Sequence, residues 1–184
     1  MRKIVASLFI SLDGVVDSPQ DWHFPYMNEQ VMGAIGEGMN ADTIVLGRRT
    51  YEEWAGFWPQ QPGDGGMADY INGTPKLVAS TTLDRLEWEN ANLIDGDVVA
   101  ALTELKRQDG GEISITGSGT LVRSLLEAGL IDELRLLVHP IVVGRGKHLF
   151  EGGTEPTGLE LSESEPFDTG VLNLTYRPAA PTPA

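Results

Sequence analysis

Two glycines and two hydroxyl residues stand where a short apolar run gives way to a pattern of helical period. The run is EISIT, and it is followed by Gly117-Ser118-Gly119-Thr120 and then by Leu121, which opens the helical pattern. A helix N-terminus presents unpaired backbone N–H groups, and glycines let a ligand approach them closely. The segment therefore predicts a phosphate-binding loop, with a plain chain reversal as the alternative.

Two further segments place arginine or hydroxyl residues directly after an apolar run. In Gly47-Arg48-Arg49-Thr50, the guanidinium groups could bind phosphate and the hydroxyl could add a hydrogen bond. In Ser80-Thr81-Thr82, the hydroxyls suit the 2′-phosphate of an adenine dinucleotide. The alternatives are arginines that are solvated or paired with Glu52 and Glu53, and hydroxyls that only cap a turn.

The glycine pattern is neither that of a Rossmann fold nor that of a serine hydrolase. Val122 stands where G-x-G-x-x-G needs its third glycine, and no acidic residue ends a second strand in the matching way. Ser118 lies in G-S-G and lacks the G-x-S-x-G elbow of the α/β hydrolases. An α/β hydrolase is therefore disfavoured.

Candidates for acid chemistry and ring stacking lie in and beside the loop after the first apolar run. Asp13 could give a proton or could fix an Asp-Gly turn. Glu29 is a second candidate donor or an exposed carboxylate in a first helical turn. Trp22 could stack on a substrate ring or anchor the loop. His23 could titrate near neutrality but has no evident partner, and the three histidines have no ligand spacing, so no metal site is expected.

The elements that must position these residues alternate in type along the chain. Strands are predicted at 3–11, 42–47, 75–80, 112–116, 132–144 and 170–178. Helices are predicted from about Met27, at 48–57 and 96–108, and in the segment that contains the Gly117–Thr120 loop. This order predicts an α/β fold with a mostly parallel central sheet and antiparallel C-terminal edge strands. Because ligands bind outside the carboxyl ends of parallel strands, the three loops should share one site.

Composition limits the class of protein. The 184 residues predict one domain over 1–177, and the Pro/Ala-rich tail 178–184 is predicted to be disordered. Thirteen basic against 27 acidic residues give a net charge of −14, which opposes binding to nucleic acid or to an anionic membrane surface. The absence of cysteine excludes disulfides and thiol chemistry. No run approaches the roughly 18 apolar residues of a membrane span.

Together these segments resemble the dihydrofolate-reductase-like superfamily, and within it the reductase (C-terminal) domain of the bacterial riboflavin-biosynthesis deaminase/reductase. The resemblance extends from about Lys3 to Tyr176 and rests on SLDGVV, W-x-x-P, LGRRTYE, AST, ITGSGTLVRSLLEAGLIDEL and HPIVVGRGKHLF. It implies the three-layer fold of that superfamily and NADPH as the cofactor. The cofactor-binding residues that it implies are Gly47, Arg48, Arg49, Thr50, Ser80, Thr81, Thr82, Gly117, Ser118, Gly119, Thr120 and Leu121.

Two positions depart from the pattern of these families. Dihydrofolate reductases place an acid soon after the tryptophan and proline, whereas Tyr26, Met27 and Asn28 precede Glu29 here. The riboflavin-pathway reductases contact their substrate with a glutamate just before the glycine loop, and Thr116 occupies that place. Trp22 and Thr116 are the expected substrate contacts.

The resulting expectation is a cytoplasmic, NADPH-dependent reductase that transfers hydride to a C=N or C=O carbon. Its substrate would be a small pteridine- or ribosylamino-pyrimidine-like heterocycle. The alternative is a non-catalytic NADP-binding or regulatory module. Related domains often dimerise through late strands, so a homodimer is also expected, with LRLLVHPIVVG supplying apolar surface.

Overall fold

One eight-stranded sheet forms the centre of the computed structural model, which describes residues 1–63, 65–151 and 156–179. The strands are β1 Ile4–Ser11, β2 Thr43–Gly47, β3 Lys76–Ala79, β4 Ala91–Leu93, β5 Ile113–Thr116, β6 Glu133–His139, β7 Leu159–Pro166 and β8 Leu172–Pro178. Their order across the sheet is β4-β3-β2-β5-β1-β6-β8-β7. The first six of these pair in parallel, and β8 pairs antiparallel with β6 and β7. The predicted sheet, with its antiparallel C-terminal edge, is confirmed.

Within the described residues, five α-helices cover the two faces of this sheet. They are α1 Glu29–Glu37, α2 Arg48–Ala55, α3 Met67–Gly73, α4 Val98–Arg107 and α5 Gly119–Glu127. Helices α4 and α5 bury one face, where Leu102, Val122 and Leu125 pack against the even-numbered residues of β1. Helices α2 and α3 cover β2 and β3 on the opposite face, and α1 covers β6 and Phe9 further along it. The result is the predicted three-layer arrangement.

Alternation along β1 assigns residues to the two faces. Ile4, Ala6, Leu8 and Ile10 belong to the core beneath α4 and α5. Because side chains of a strand point alternately to opposite faces, Ser7 and Phe9 face the side where α1, α2 and α3 leave a cleft. Each fully buried aliphatic side chain of the core contributes about 1.5–3 kcal/mol. This burial fixes the strand register and thereby the positions of the loops at the sheet edge.

Helix ends follow their capping residues. Helix α1 begins at Glu29, slightly later than predicted, because the Asn28 side chain accepts a hydrogen bond from Val31 N at 2.9 Å. Helix α4 begins after Asp97, whose side chain accepts from Ala100 N at 2.8 Å. Capping thus sets where the helical period starts.

Three elements have no counterpart among the sequence predictions, namely α3, β4 and β7. Conversely, the strand predicted over 132–144 ends at His139, because Pro140 follows and lacks the N–H that a sheet ladder needs. Strand β8 runs to Pro178, so the predicted tail begins inside a strand. Residues 180–184 of that tail lie outside the described residues.

None of the helices in the described part of the chain has the length and apolar character of a transmembrane segment. Across the same ranges, no group of three or more histidines or carboxylates is arranged to hold a metal ion.

Candidate cofactor and substrate site

Strands β3, β2 and β5 are parallel neighbours, so the loops that follow them emerge side by side at one edge of the sheet. Two of these loops are joined directly. Gly47 N donates to Ser118 Oγ at 2.9 Å, and Ser118 N donates to Thr50 Oγ1 at 3.2 Å. The Ser118 and Thr50 hydroxyls lie 3.0 Å apart. The structure therefore brings the predicted phosphate-binding loops together and locks them into one unit.

The glycine loop adopts a left-handed backbone at two consecutive residues. Gly117 has φ of 60° and Ser118 has φ of 55°. A Cβ at Gly117 would lie 3.4 Å from Thr50 Cγ2, and one at Gly119 would lie 3.0 Å from Val16 Cγ2. The two glycines thus serve the turn and its packing against the rest of the protein, as well as keeping the loop open.

Helix α5 begins at this loop without a capping side chain. Ser118 is its N-cap residue, yet the Ser118 hydroxyl contacts Gly47 and Thr50 instead of the first turn of the helix. The N–H groups of that turn therefore lack the usual side-chain acceptor. Together with the helix dipole they favour an anion at this position.

The two predicted phosphate-binding arginines are paired with carboxylates. Arg48 contacts Glu52 at 2.8 Å, and Arg49 contacts Asp17 at 3.1 Å and Glu53 at 3.5 Å. Both guanidinium groups are about half exposed. Because exposed ion pairs contribute only about 0–1 kcal/mol, such pairs can open to admit a phosphate.

The third loop is ordered by its own serine. Ser80 Oγ accepts hydrogen bonds from Thr82 N at 3.2 Å and from Leu83 N at 3.1 Å, so it caps the turn. The neighbouring Thr81 and Thr82 are exposed. All the predicted cofactor-binding residues of the three loops line one continuous cleft.

The same cleft continues from the glycine loop across the sheet, between α1 on one side and α2 and α3 on the other. Its floor is formed by Ser7, Phe9, Ser114 and Thr116. Thr116, which was predicted to contact the substrate, lies at the junction of the cleft floor and the glycine loop.

Asp13 lies in a hydrogen-bonded loop junction. Its carboxylate accepts from Ser11 Oγ at 2.6 Å, from Gly144 N at 2.8 Å and from Val143 N at 3.1 Å. The Ser11 hydroxyl, followed by these two N–H groups, lowers the pKa of Asp13 to about 2. A carboxylate held this strongly is a poor proton donor, so the geometry favours the alternative in which Asp13 fixes the loop.

For Glu29 and Trp22, too, the geometry favours the alternative in which the residue takes no part in the chemistry. Glu29 is exposed at the first position of α1 and is not among the residues that line the cleft. Trp22 is buried, and its Nε1 donates to the Asp17 carbonyl at 3.1 Å. The indole ring meets His139 edge-on at 5.3 Å between centroids. Trp22 thus anchors the loop that separates β1 from α1.

Two buried histidines were missed as functional candidates. His23 is 8% exposed, lines the cleft and stacks on Phe9 at 4.8 Å, whereas His139, the last residue of β6, is fully buried. The two ring centroids lie 6.2 Å apart. Only the fold reveals this pair, because nothing in the sequence links a loop histidine to one at a distant strand end.

Solved structures of similar fold place this sheet in a known class. A protein of riboflavin biosynthesis from Shewanella sp. PV-4 superposes with a TM-score of 0.78 at 22% identity, over 97% of this chain and 99% of its own. Dihydrofolate reductase from Enterococcus faecalis, solved with NADP(H), superposes with a TM-score of 0.67 at 18% identity, over 97% of both chains. The predicted dihydrofolate-reductase-like fold is confirmed.

The family follows from the sequence match. The model of the RibD C-terminal domain matches residues 2–173. The chain therefore belongs to the RibD C-terminal domain family, which is of reductase type. The Bacillus subtilis protein YwjB is 30% identical over 173 residues, which cover 92% of this chain and 95% of YwjB.

Proposed function

We propose that this protein is an NADPH-dependent reductase that transfers hydride to a C=N or C=O carbon of a small heterocyclic substrate. The observation that carries the proposal is the uncapped N-terminus of α5 behind the glycine loop, at the end of a cleft that also contains the Arg48–Thr50 and Ser80–Thr82 loops. Family membership and the NADP(H) complex of the structurally similar dihydrofolate reductase support the same function.

The residues present fit a dinucleotide phosphate group. The first turn of α5 supplies unpaired N–H groups, and Gly117 leaves open the space that a Cβ would fill. Arg49 would exchange its carboxylate partners for phosphate, and Thr81 and Thr82 offer exposed hydroxyls for the 2′-phosphate. When bound, the cofactor supplies the hydride, while the protein orients both reactants and excludes water.

The cleft supports a flat, partly polar substrate. Phe9 offers an aromatic surface in the floor, and Ser7, Ser114 and Thr116 offer hydroxyls beside it. Met27 lines the cleft and belongs to the segment after Trp22 and Pro25, where the resemblance to dihydrofolate reductases would place an acid. A pteridine- or pyrimidine-like ring matches this combination, and the recognition of the substrate differs from that in either named family.

Nucleotide binding tests the proposal. NADPH should bind more tightly than NADH, because a charge-assisted phosphate contact is worth about 1.5–3 kcal/mol, or about 10- to 150-fold in affinity. Fluorescence titration of wild type, Arg49→Gln and the control Arg107→Gln measures this. Arg107 forms a similar exposed pair with Glu104 at the end of α4. Equal affinity for both nucleotides in wild type would remove the proposed role of the 2′-phosphate loop.

Turnover separates the reductase from the non-catalytic alternative. The loss of absorbance of NADPH should be followed with a panel of pteridines, cyclic imines and carbonyl compounds. Oxidation of NADPH in the presence of at least one compound supports a reductase. Tight NADPH binding with no turnover across the panel would favour a regulatory or binding module instead.

We also propose a homodimer formed through the late strands. The LRLLVH part of the run expected to supply apolar surface lies in β6, between β1 and β8, and its leucines are buried. β7 instead lies at the open edge of the sheet, and its residues are almost all exposed in the single chain. Light scattering at micromolar concentration tests the oligomeric state, and a mass of one chain would contradict the dimer.

A further inference from the structure

The His23–His139 pair contains two buried ring nitrogens that lack a partner. Among the residues that the structure describes, His23 Nδ1 and His139 Nε2 are buried side-chain atoms without a hydrogen bond. Buried polar atoms are nearly always satisfied, by protein or by ordered water. Two such atoms on rings that face each other therefore point to a shared function.

The hydrogen bonds of His139 set its tautomer. Its Nδ1 lies 2.9 Å from the Leu137 carbonyl, which can only accept, so Nδ1 carries the proton. Nε2 of the neutral ring is then a bare acceptor. The two ring centroids lie 6.2 Å apart with their planes at 89°. Neither nitrogen bonds the other directly, so the pairing proposed below requires a bridging water.

Aromatic contacts hold both rings in place. Phe9 stacks on His23 at 4.8 Å, with an angle of 21° between the planes, and meets His139 edge-on at 5.5 Å. Trp22 and Tyr26 contact His139 edge-on at 5.3 and 5.7 Å. His23 is the member of the pair that also lines the substrate cleft. The pair therefore connects the cleft floor with the protein interior.

The carboxylates near the cofactor loops are less suited to giving a proton. Asp17 and Glu53 line the cleft, but both are paired with Arg49. Asp13 is held by three hydrogen bonds, and Glu29 lies outside the cleft lining. His23, by contrast, stacks on Phe9 in the floor of the cleft.

We propose that His23 is the catalytic proton donor of the reductase and that His139 is a positioning residue, which accepts from His23 Nδ1 through one bridging water. The inference rests on the proposed function. In the step, the substrate carbon receives hydride and the π electron pair of the C=N bond moves onto nitrogen. That nitrogen takes the proton from Nε2 of the His23 imidazolium, and solvent then reprotonates the neutral ring.

The pH dependence follows from burial. Burial lowers the pKa of His23 below 6.5, and the proximity of His139 lowers it further. Burial likewise lowers the pKa of His139, and the nearby Leu137 and Ile10 carbonyls partly offset this effect. The titratable groups that face the two rings are each other and Tyr26. The donor form therefore grows as pH falls, so the rate of reduction should fall as pH rises through the pKa of His23.

Nitrogen NMR of the histidine rings tests the pair without any substrate. The chain has only three histidines, and His148→Gln identifies the third signal. Wild type should show the Nδ1–H tautomer for both His23 and His139, with His23 titrating below pH 6.5. In His139→Phe, which keeps a ring in the core, His23 should populate both tautomers. An Nε2–H tautomer of His23 in wild type, unchanged in His139→Phe, would overturn the pairing.

Single-turnover reduction of dihydrofolate by the NADPH-loaded protein tests the donor role. The rate should be higher at pH 5.5 than at pH 7.5, and His23→Gln should lose about 10²-fold at the lower pH while its NADPH affinity stays unchanged. His23→Asn, which keeps a nitrogen toward His139, should be equally slow. Equal rates in wild type and both variants, or no reduction by wild type at either pH, would overturn the donor role. Failure of wild type to bind NADPH would instead overturn the proposed function, and the NMR result would still decide the pairing.

Discussion

Asp13 illustrates how a single carboxylate can order a site without reacting in it. It joins the loop after β1 to the segment after β6, through the N–H groups of Val143 and Gly144. The second segment follows His139 and Pro140, at the end of β6. Asp13, a candidate acid in the sequence, therefore holds two loops together by hydrogen bonds.

Asp13→Asn should lower thermal stability at neutral pH but much less at low pH. The pKa in the folded chain is about 2, below that of an unperturbed aspartate, so its stabilisation is fully present above about pH 4 and is lost as pH falls toward 2. Melting temperatures of both proteins at pH 7 and pH 2.5 measure the difference. Asp84→Asn, in an exposed turn, is the control. An unchanged melting temperature of Asp13→Asn at pH 7 would contradict the role of Asp13 in holding the two loops together.

At the scale of elements, the glycine loop combines a backbone requirement with the proposed binding role. Gly117 has a left-handed backbone and would bring a Cβ against Thr50. Gly129, just after the far end of α5, has a similar φ of 66° but open space around it. Substitutions at these two positions can therefore distinguish the effect of backbone strain from the effect of a side chain inside the site.

Gly117→Val and Gly129→Val should both lower the melting temperature, because a branched residue is strained at positive φ. Only Gly117→Val should also weaken NADPH binding, since its side chain enters the proposed phosphate site. Thermal melts and fluorescence titration measure the two effects. Equal NADPH affinity in both variants would favour a loop that is only a turn.

Lys76 anchors the end of α3 from inside the protein. It is fully buried, and its Nζ donates to the Asn72 and Thr74 carbonyls at 3.0 and 2.8 Å and lies 4.4 Å from the Trp88 ring centroid. These carbonyls belong to the C-terminal end of α3, where the helix has no partners of its own. Burial lowers the pKa of Lys76 to about 8.

Lys76→Met should destabilise the protein by about 1–3 kcal/mol at pH 7, because it removes the Nζ hydrogen bonds to both carbonyls, although Asn72 O still accepts from Asn90 Nδ2. The folded pKa is lowered, so between about pH 8 and 10 the unfolded chain binds more protons and this group makes unfolding less favourable as pH rises. The stability difference between wild type and Lys76→Met should therefore widen over that range. Urea denaturation at pH 7 and pH 9.5 checks both statements, and a constant difference would contradict the pH effect.

The sequence was most informative where an element buries a continuous apolar face. The strands β1, β2 and β5 and the helices α4 and α5 were predictable because burial imposes a period of 2 or 3.6 on their residues. By contrast, α3 has seven residues and β4 has three, which is too short for a period to emerge. β7 is exposed almost throughout, so no apolar pattern marks it.

The loops of the candidate site were predictable from the sequence, but the side-chain pairs within it were not. Glycine and hydroxyl residues after parallel strands indicate a ligand site at the sheet edge, and Gly47 and Ser118 do meet there. The pairing of Arg49 with Asp17, and of His23 with His139, joins residues that are distant in the chain. Such contacts depend on the packing of whole elements, which local patterns do not encode.

At the scale of the whole molecule, the chain shares the dihydrofolate reductase fold but not its acid. The first turn of α1 uses Asn28 as its cap, and Glu29 is exposed on the outside. Met27 lines the cleft instead. Dihydrofolate should therefore be a poor substrate at pH 7 even when NADPH binds well, because acid assistance contributes about 10²–10⁴-fold.

Steady-state kcat/KM for dihydrofolate with saturating NADPH measures this deficit. Glu29→Gln should leave the value unchanged, since that side chain is exposed and outside the cleft lining. Met27→Asp should raise it, because the new carboxyl would enter the cleft from the start of α1, and the NADPH affinity of this variant serves as the check on folding. A wild-type value within the usual enzyme range of about 10⁴–10⁸ M⁻¹s⁻¹, abolished by Glu29→Gln, would show that Glu29 reaches the substrate and that the protein reduces folates.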